Sequence, residues 1–224
     1  MELIRRPVER FHETLTKNYQ RMKKNVVLAL LALLGTLSSY AQVSFGVKAG
    51  FSSAKMSFDE SDGVKRLAAW HAGAIADFEL AENFALQPQL LVSTKGYKAE
   101  GIDESFKLTY LELPVNFLYK HELGAGKIFG GFGPYLAMGL SGKYGEVDVK
   151  FDGKKDEELG ETDEDIHGKR MDAGANFIAG YELKNGLLFS VNYSLGLTDV
   201  DPNGTKSKNG YFGISVGYLF KTKK

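Results

Sequence analysis

The chain has 224 residues, with 28 Lys+Arg against 28 Asp+Glu and no cysteine. Zero net charge removes the electrostatic footprint expected of a nucleic-acid binder, and the missing thiols exclude disulfides, thiolate metal sites, a cysteine nucleophile and a lipidated N-terminal cysteine. With 43% hydrophobic residues, 26 glycines and 12% aromatics, the composition is that of a folded chain rich in curved sheet rather than a disordered one.

The first clear signal starts at Met22. Lys23 and Lys24 make a positive n-region, Val26 to Leu34 an apolar h-region, and Ser39-Tyr40-Ala41 a small-residue cleavage site with Gln42 as the mature start. The apolar run is too short for a transmembrane helix, which needs about 20 apolar residues. Residues 22–41 are therefore expected to be a cleavable signal peptide. Residues 1–21 are polar, with Arg5, Arg6, Arg10 and Arg21. They read as an upstream extension outside the fold, because a leader beginning at Met22 is complete without them; whether Met1 or Met22 is the true start stays open.

From Gln42 onward the pattern has a period of two, the mark of strands with one apolar face. Val43, Phe45, Val47, Ala49 and Phe51 alternate with Ser44, Gly46, Lys48 and Gly50. Ala72 to Leu80 follows, its polar face broken by Ile75, and then Phe84 to Val92, set against Gln87, Gln89, Ser93 and Lys95. Leu111 to Tyr119 opposes Tyr110, Glu112 and Asn116, and Ile128 to Leu140 is richer in glycine and less regular. Ala173 to Tyr181, Leu187 to Leu195 and Phe212 to Phe220 complete eight segments.

Connections alternate as well. Short ones (around Ala81-Glu82-Asn83, His121 to Gly126, and Lys184-Asn185-Gly186) follow the even strands, and Asn185-Gly186 is a dipeptide favoured in primed hairpin turns. Longer ones (Ser52 to Leu67, Lys98 to Glu104, Gly142 to Lys169, Asp199 to Asn209) follow the odd strands. The expected fold is an all-β, eight-stranded, antiparallel up-and-down transmembrane barrel over residues 42–224, located in an outer membrane. A soluble ligand-binding barrel would point its apolar face inward. Here the apolar faces carry the larger residues, and eight strands leave a bore only wide enough for side chains. Phe78, Phe84, Tyr119, Tyr181, Tyr218 and Phe220 would form a periplasmic-side aromatic girdle. Lys48, Lys95 and Arg170 against Asp77, Glu79, Glu112, Asp172 and Glu182 would form a polar network in the lumen, since unpaired buried charges cost several kcal/mol.

Chemistry-bearing clusters are few. His71, His121 and His167 lack metal-ligand spacing, and the loop from Lys143 to Lys169 is acidic but fails the calcium-loop frame at Lys150 and Leu159. That loop reads as solvated, with cation binding left open. Gly46, Gly50, Gly130, Gly131 and Gly133 make no phosphate cradle, as no helix follows. Pro114 inside a strand predicts a bulge or local bend. A lipid-modifying enzyme would need a serine near His71, with Ser57, Ser61 and Ser141 as candidates, but alternation turns His71 into the lumen.

Phe45-Gly46-Val47-Lys48-Ala49-Gly50-Phe51, Tyr110-Leu111-Glu112-Leu113-Pro114-Val115 and Gly131-Phe132-Gly133-Pro134-Tyr135 resemble the PorT-like outer membrane β-barrel domain family. The resemblance covers essentially Gln42 to Phe220, with Ser52 and Ser53 where members often carry Asn. It implies the same barrel and allows an accessory role in protein secretion; it brings no catalytic residues and no cofactor. The leading expectation is a non-enzymatic barrel that presents loops. Its partners would be outer-membrane lipid and lipopolysaccharide, with envelope or secretion proteins as candidates and no nucleic acid. A secretion accessory and a lipid-modifying enzyme are the alternatives.

Overall fold

The computed structural model describes residues 42–58, 64–101, 104–155 and 165–220; the segments expected to be an extension and a leader lie outside them. Among the described residues eleven strands form in chain order: β1 (Gln42–Phe58), β2 (Val64–Lys65), β3 (Leu67–Ala81), β4 (Phe84–Ala99), β5 (Ser105–Leu123), β6 (Gly126–Tyr144), β7 (Val147–Lys150), β8 (Ile166–His167), β9 (Met171–Leu183), β10 (Leu187–Gly196) and β11 (Ser207–Phe220). The eight long ones pair in sequence around an antiparallel ring, which β1 and β11 close from Phe45↔Phe220 to Phe58↔Ser207. Closure leaves no long unpaired edge.

The two faces differ sharply. On β1, Phe45 is 63% and Phe51 76% exposed, whereas Lys48 between them is 5% exposed. Outward rows such as Phe189-Val191-Tyr193 on β10 and Phe212-Ile214-Val216 on β11 continue this apolar surface around the ring. The apolar stretch from Leu111 to Tyr119 on β5 and that from Phe212 to Phe220 on β11 are each nine residues long, within the ~9–11 of a membrane-crossing strand. Beyond the belt, β1 keeps its alternation but turns Ser53, Lys55 and Ser57 outward. Strands therefore project past the apolar zone, and much of the connection expected from Ser52 to Leu67 is strand.

At the other end the links are tight. Glu82-Asn83 joins β3 to β4, and Gly124-Ala125 joins β5 to β6, so β5 runs on through His121 instead of turning there. Gly124, at φ +58°, takes the first central position of a two-residue hairpin, where a positive φ is needed. The primed turn expected at Asn185-Gly186 does not form. Gly186 N–H bonds Leu183 O at 2.9 Å, and only Gly186 takes a positive φ, +95°. A three-residue loop with the left-handed step on its glycine fits the strand twist equally well. Pro114 makes no bulge, as β5–β6 pairing keeps one register from Tyr110↔Gly139 through Pro114↔Tyr135 to Phe117↔Phe132, but the β4–β5 ladder is interrupted at Leu113 and Pro114. The β5–β6 irregularity lies instead between Thr109 and Tyr110, where outward residues change from apolar to Thr109 and Lys107.

The interior is less uniformly polar than the alternation implies. Ile75, Leu118, Phe129, Ile178, Leu188 and Leu219 form an apolar cluster at the turn end. Glycines make room for the inward rings. A Cβ at Gly180 would lie 2.5 Å from the Phe129 ring, and one at Gly174 would lie 2.6 Å from the Tyr135 ring.

Val191, in the middle of β10, is 43% exposed on the apolar belt. Val191→Arg is expected to cost about 2–4 kcal/mol in unfolding from lipid vesicles, measured by urea titration. A neutral outcome would mean that this face meets water.

Candidate functional site: the filled bore and its mouth

Side chains pointing inward from the strands meet in two polar groups. Nearer the turns, Lys120 Nζ lies 2.8 Å from Asp77 Oδ1 and 3.0 Å from Glu182 Oε2. Gln87 Nε2 donates to the other Asp77 oxygen at 2.8 Å, Gln89 Nε2 donates to Gln87 Oε1 at 2.9 Å, and Lys48 Nζ donates to Gln89 Oε1 at 3.3 Å. Five elements thus contribute to one line of contacts across the bore. Every cation in it has an oxygen partner.

Nearer the loops, Lys95 is fully buried among carboxylates and rings. Its Nζ lies 2.8 Å from Glu112 Oε2 and 3.2 Å from Asp172 Oδ2, with the Tyr135 ring centroid at 4.2 Å. Tyr211 Oη donates to Glu112 at 3.0 Å, as does Ser93 Oγ at 3.1 Å. Asp172 accepts from Asn209 Nδ2 at 3.1 Å, Thr198 Oγ1 at 3.1 Å and Tyr135 Oη at 3.3 Å. Burying a carboxylate is costly unless its lone pairs are met, and here several donors meet them. Among the described residues the buried ions are three lysines (48, 95, 120) and four carboxylates (77, 112, 172, 182). This near-balance is held by contact, not by solvent.

Of the charges assigned to the lumen, Arg170 lies elsewhere and Glu79 sits at the rim of the bore. Arg170 is exposed, because β9 begins only at Met171 and the inward parity of Asp172 does not carry back into the connection. Glu79 is half-buried near the turns and sits 3.5 Å from Lys127. Lys120 shares the inward parity of Glu112 and Asn116, but the apolar alternation ends at Tyr119, next to the turn expected at His121, and so does not single it out. The inward Tyr135 and Tyr211 are not legible in the pattern, because Ile128 to Leu140 alternates irregularly and Tyr211 precedes the segment that starts at Phe212.

Of the rings at the turn end, Phe84, Tyr119, Tyr218 and Phe220 stand exposed on the outer surface. Phe84 and Tyr119 are cross-strand partners with ring centroids 5.5 Å apart, and Tyr218 and Phe220 lie 5.4 Å apart. Tyr181 is half-buried, its hydroxyl donating to Leu123 O at 2.5 Å, while Phe78 is buried.

His71 is 1% exposed inside the bore, its Nδ1 2.8 Å from Ser52 Oγ and its Nε2 2.7 Å from Ser215 Oγ. Both ring nitrogens are committed to hydroxyls inside the protein. Of the serines considered for it, Ser57 and Ser141 are exposed and Ser61 lies outside the described residues.

Over the loop end, β7 and β8 pair in parallel, Val149↔Ile166 and Lys150↔His167. Val149, Phe151 and Ile166 join Leu108, Tyr110, Tyr135 and Ala137 in one cluster, so this part of the acidic connection is packed. Most of its acids (residues 156–158, 161, 163 and 164) lie outside the described residues. His167 Nδ1 bonds Asp152 Oδ1 at 2.8 Å, which holds the Asp152 carboxyl below its ordinary range. A carboxyl depressed in the folded state stabilises it at neutral pH, and that contribution is lost as pH falls through the lowered value.

Lys95→Met would leave Glu112 and Asp172 facing each other without their cation. Removing one partner of a buried pair costs about 3–5 kcal/mol. The urea midpoint of the variant in detergent should fall accordingly, and an unchanged midpoint would show that the cage carries no net stability.

The chain is similar to several solved structures. Neisserial surface protein A is 16% identical, with a TM-score of 0.50 over 80% of this chain and 99% of that one. The outer membrane protein OprG from Pseudomonas aeruginosa is 12% identical (TM-score 0.47, 81% and 98% covered). Ail, the attachment invasion locus protein of Yersinia pestis, solved with the heparin analogue sucrose octasulfate, is 11% identical (0.43, 80% and 99%). No curated protein matches the chain. Residues 36–201 match the outer membrane protein beta-barrel domain family. Together with the closed ring and its apolar belt, the match places the protein in the outer membrane, and the chain belongs to that family.

Proposed function

We propose that this protein is a non-enzymatic barrel that anchors through its apolar belt and presents its four longer connections outside the cell to envelope components or partner proteins. The observation that carries the reading is the filled bore: the Lys120 and Lys95 groups span it with direct contacts of 2.8–3.2 Å. Such a filling suits an anchor better than a solute channel. The asymmetry of tight turns at one end and longer connections at the other supports outward-facing loops, with the rings at the turn end as a girdle on the periplasmic side. A histidine satisfied on both nitrogens inside the bore gives no support to lipid chemistry. A second reading, an accessory of protein secretion, draws on the motif likeness to the PorT-like family alone; an unchanged secretome in a deletion strain would count against it.

The lack of native cysteine makes orientation directly measurable. Thr205→Cys, in the connection between β10 and β11, should react with a membrane-impermeant maleimide on intact cells. Lys184→Cys, in a tight turn, should react only after the outer membrane is opened. Labelling in the reverse order would overturn the orientation, and conductance above background in planar bilayers would overturn the sealed bore.

A further inference from the structure

Between the Lys95 cage and the β7–β8 flap lies a cavity of about 320 Å³. Folded interiors contain few voids larger than one water, which takes up about 30 Å³. This one is at the low end of the roughly 300–1,000 Å³ of small-molecule sites. Its walls are aromatic. Phe58 meets Tyr97 edge to face at 5.4 Å, Tyr97 stacks on Phe106 at 5.4 Å, and Tyr144 follows at 6.2 Å from Phe106. Tyr110 from the floor and Phe151 from the flap meet at 5.8 Å. The four wall rings are only half-buried although their side chains point inward. A core that served only to hold the flap down would bury them.

Charge narrows the class of occupant. Lys95 Nζ sits 5.3 Å from the Tyr110 ring centroid, but its charge is already met by Glu112 and Asp172, so the floor offers an anion no unpaired counter-charge. Asp201 lines the chamber and would repel an anion. Either kind of ion would also give up its hydration for a mostly apolar lining. We infer that this chamber binds a compact, uncharged aromatic molecule, its ring packed against Tyr97 and Phe106 in the offset or edge-to-face manner of aromatic pairs. This goes beyond the proposed surface role and does not depend on it.

Gly168 offers a clean test. It lines the chamber, its φ is not positive, and a Cβ there would come no closer than 3.7 Å to Val149 and 3.8 Å to Phe151. Gly168→Phe should therefore occupy the space without straining the backbone. The probe is 1-naphthol, followed by its fluorescence with the full chain in lipid nanodiscs; naphthalene-1-sulfonate and 1-naphthylmethylammonium are the charged comparators. The expected result is saturable one-to-one binding of 1-naphthol, weakened at least tenfold in Gly168→Phe, with both ions at least tenfold weaker than 1-naphthol on the native protein. No saturable binding, equal binding by Gly168→Phe, or equal binding of either ion overturns the inference. If Gly168→Phe loses the heat-modifiable gel shift of a folded barrel, Phe106→Ala replaces it; a loss of at least fivefold supports the site and unchanged binding overturns it.

Discussion

Closing eight strands into a ring leaves a bore only as wide as the side chains that enter it, and the rest of this structure follows from that narrowness. Each strand must send alternate residues into a confined space and the others into the surroundings. Inward residues must then fit one another like a core, while outward ones answer only to the medium. In this chain Lys95, Glu112 and Asp172 are fully enclosed, and Phe51 and Phe132 are among the most exposed large side chains. A water-soluble protein would place these two sets the other way round.

Narrowness also explains why the buried charges are tolerable. Lys95 touches two carboxylates and the face of Tyr135, and each carboxylate takes a further donor from elsewhere around the bore. Lys120 does the same with Asp77 and Glu182. Lys95 and Glu112 lie on neighbouring strands, whereas the other contacts join residues far apart in sequence, 43 positions for Lys120–Asp77 and 77 for Lys95–Asp172. These longer-range pairs therefore form only when the ring brings non-adjacent strands together in the right register, and they contribute specificity of pairing as well as stability.

The barrel was legible in the sequence because the two-residue period and the alternation of short and long connections both point to it. Strand ends were less legible. Past Phe51 the outward residues become Ser53, Lys55 and Ser57 while the strand continues, since the backbone ladder has no need of an apolar face once it leaves the membrane. The same blurring hid Lys120 near a turn and drew Arg170 into a network it does not join. Inward rings such as Tyr135 were invisible to the pattern: their place depends on glycines such as Gly174 in the neighbouring strand, a pairing that only register reveals. The packing of β7 and β8 over the mouth was hidden as well, because the acidic composition around them outweighed Val149, Phe151 and Ile166.

Contact between the apolar face and lipid is directly measurable through the chain's single tryptophan. Trp70 is 48% exposed on β3, and it lies with Phe51 and Ile214 along one apolar surface. Folded into vesicles of lipid brominated on the acyl chains, the native protein should lose most of its tryptophan fluorescence relative to unbrominated vesicles. Emission unaffected by bromine would place Trp70 away from the acyl chains and contradict the account.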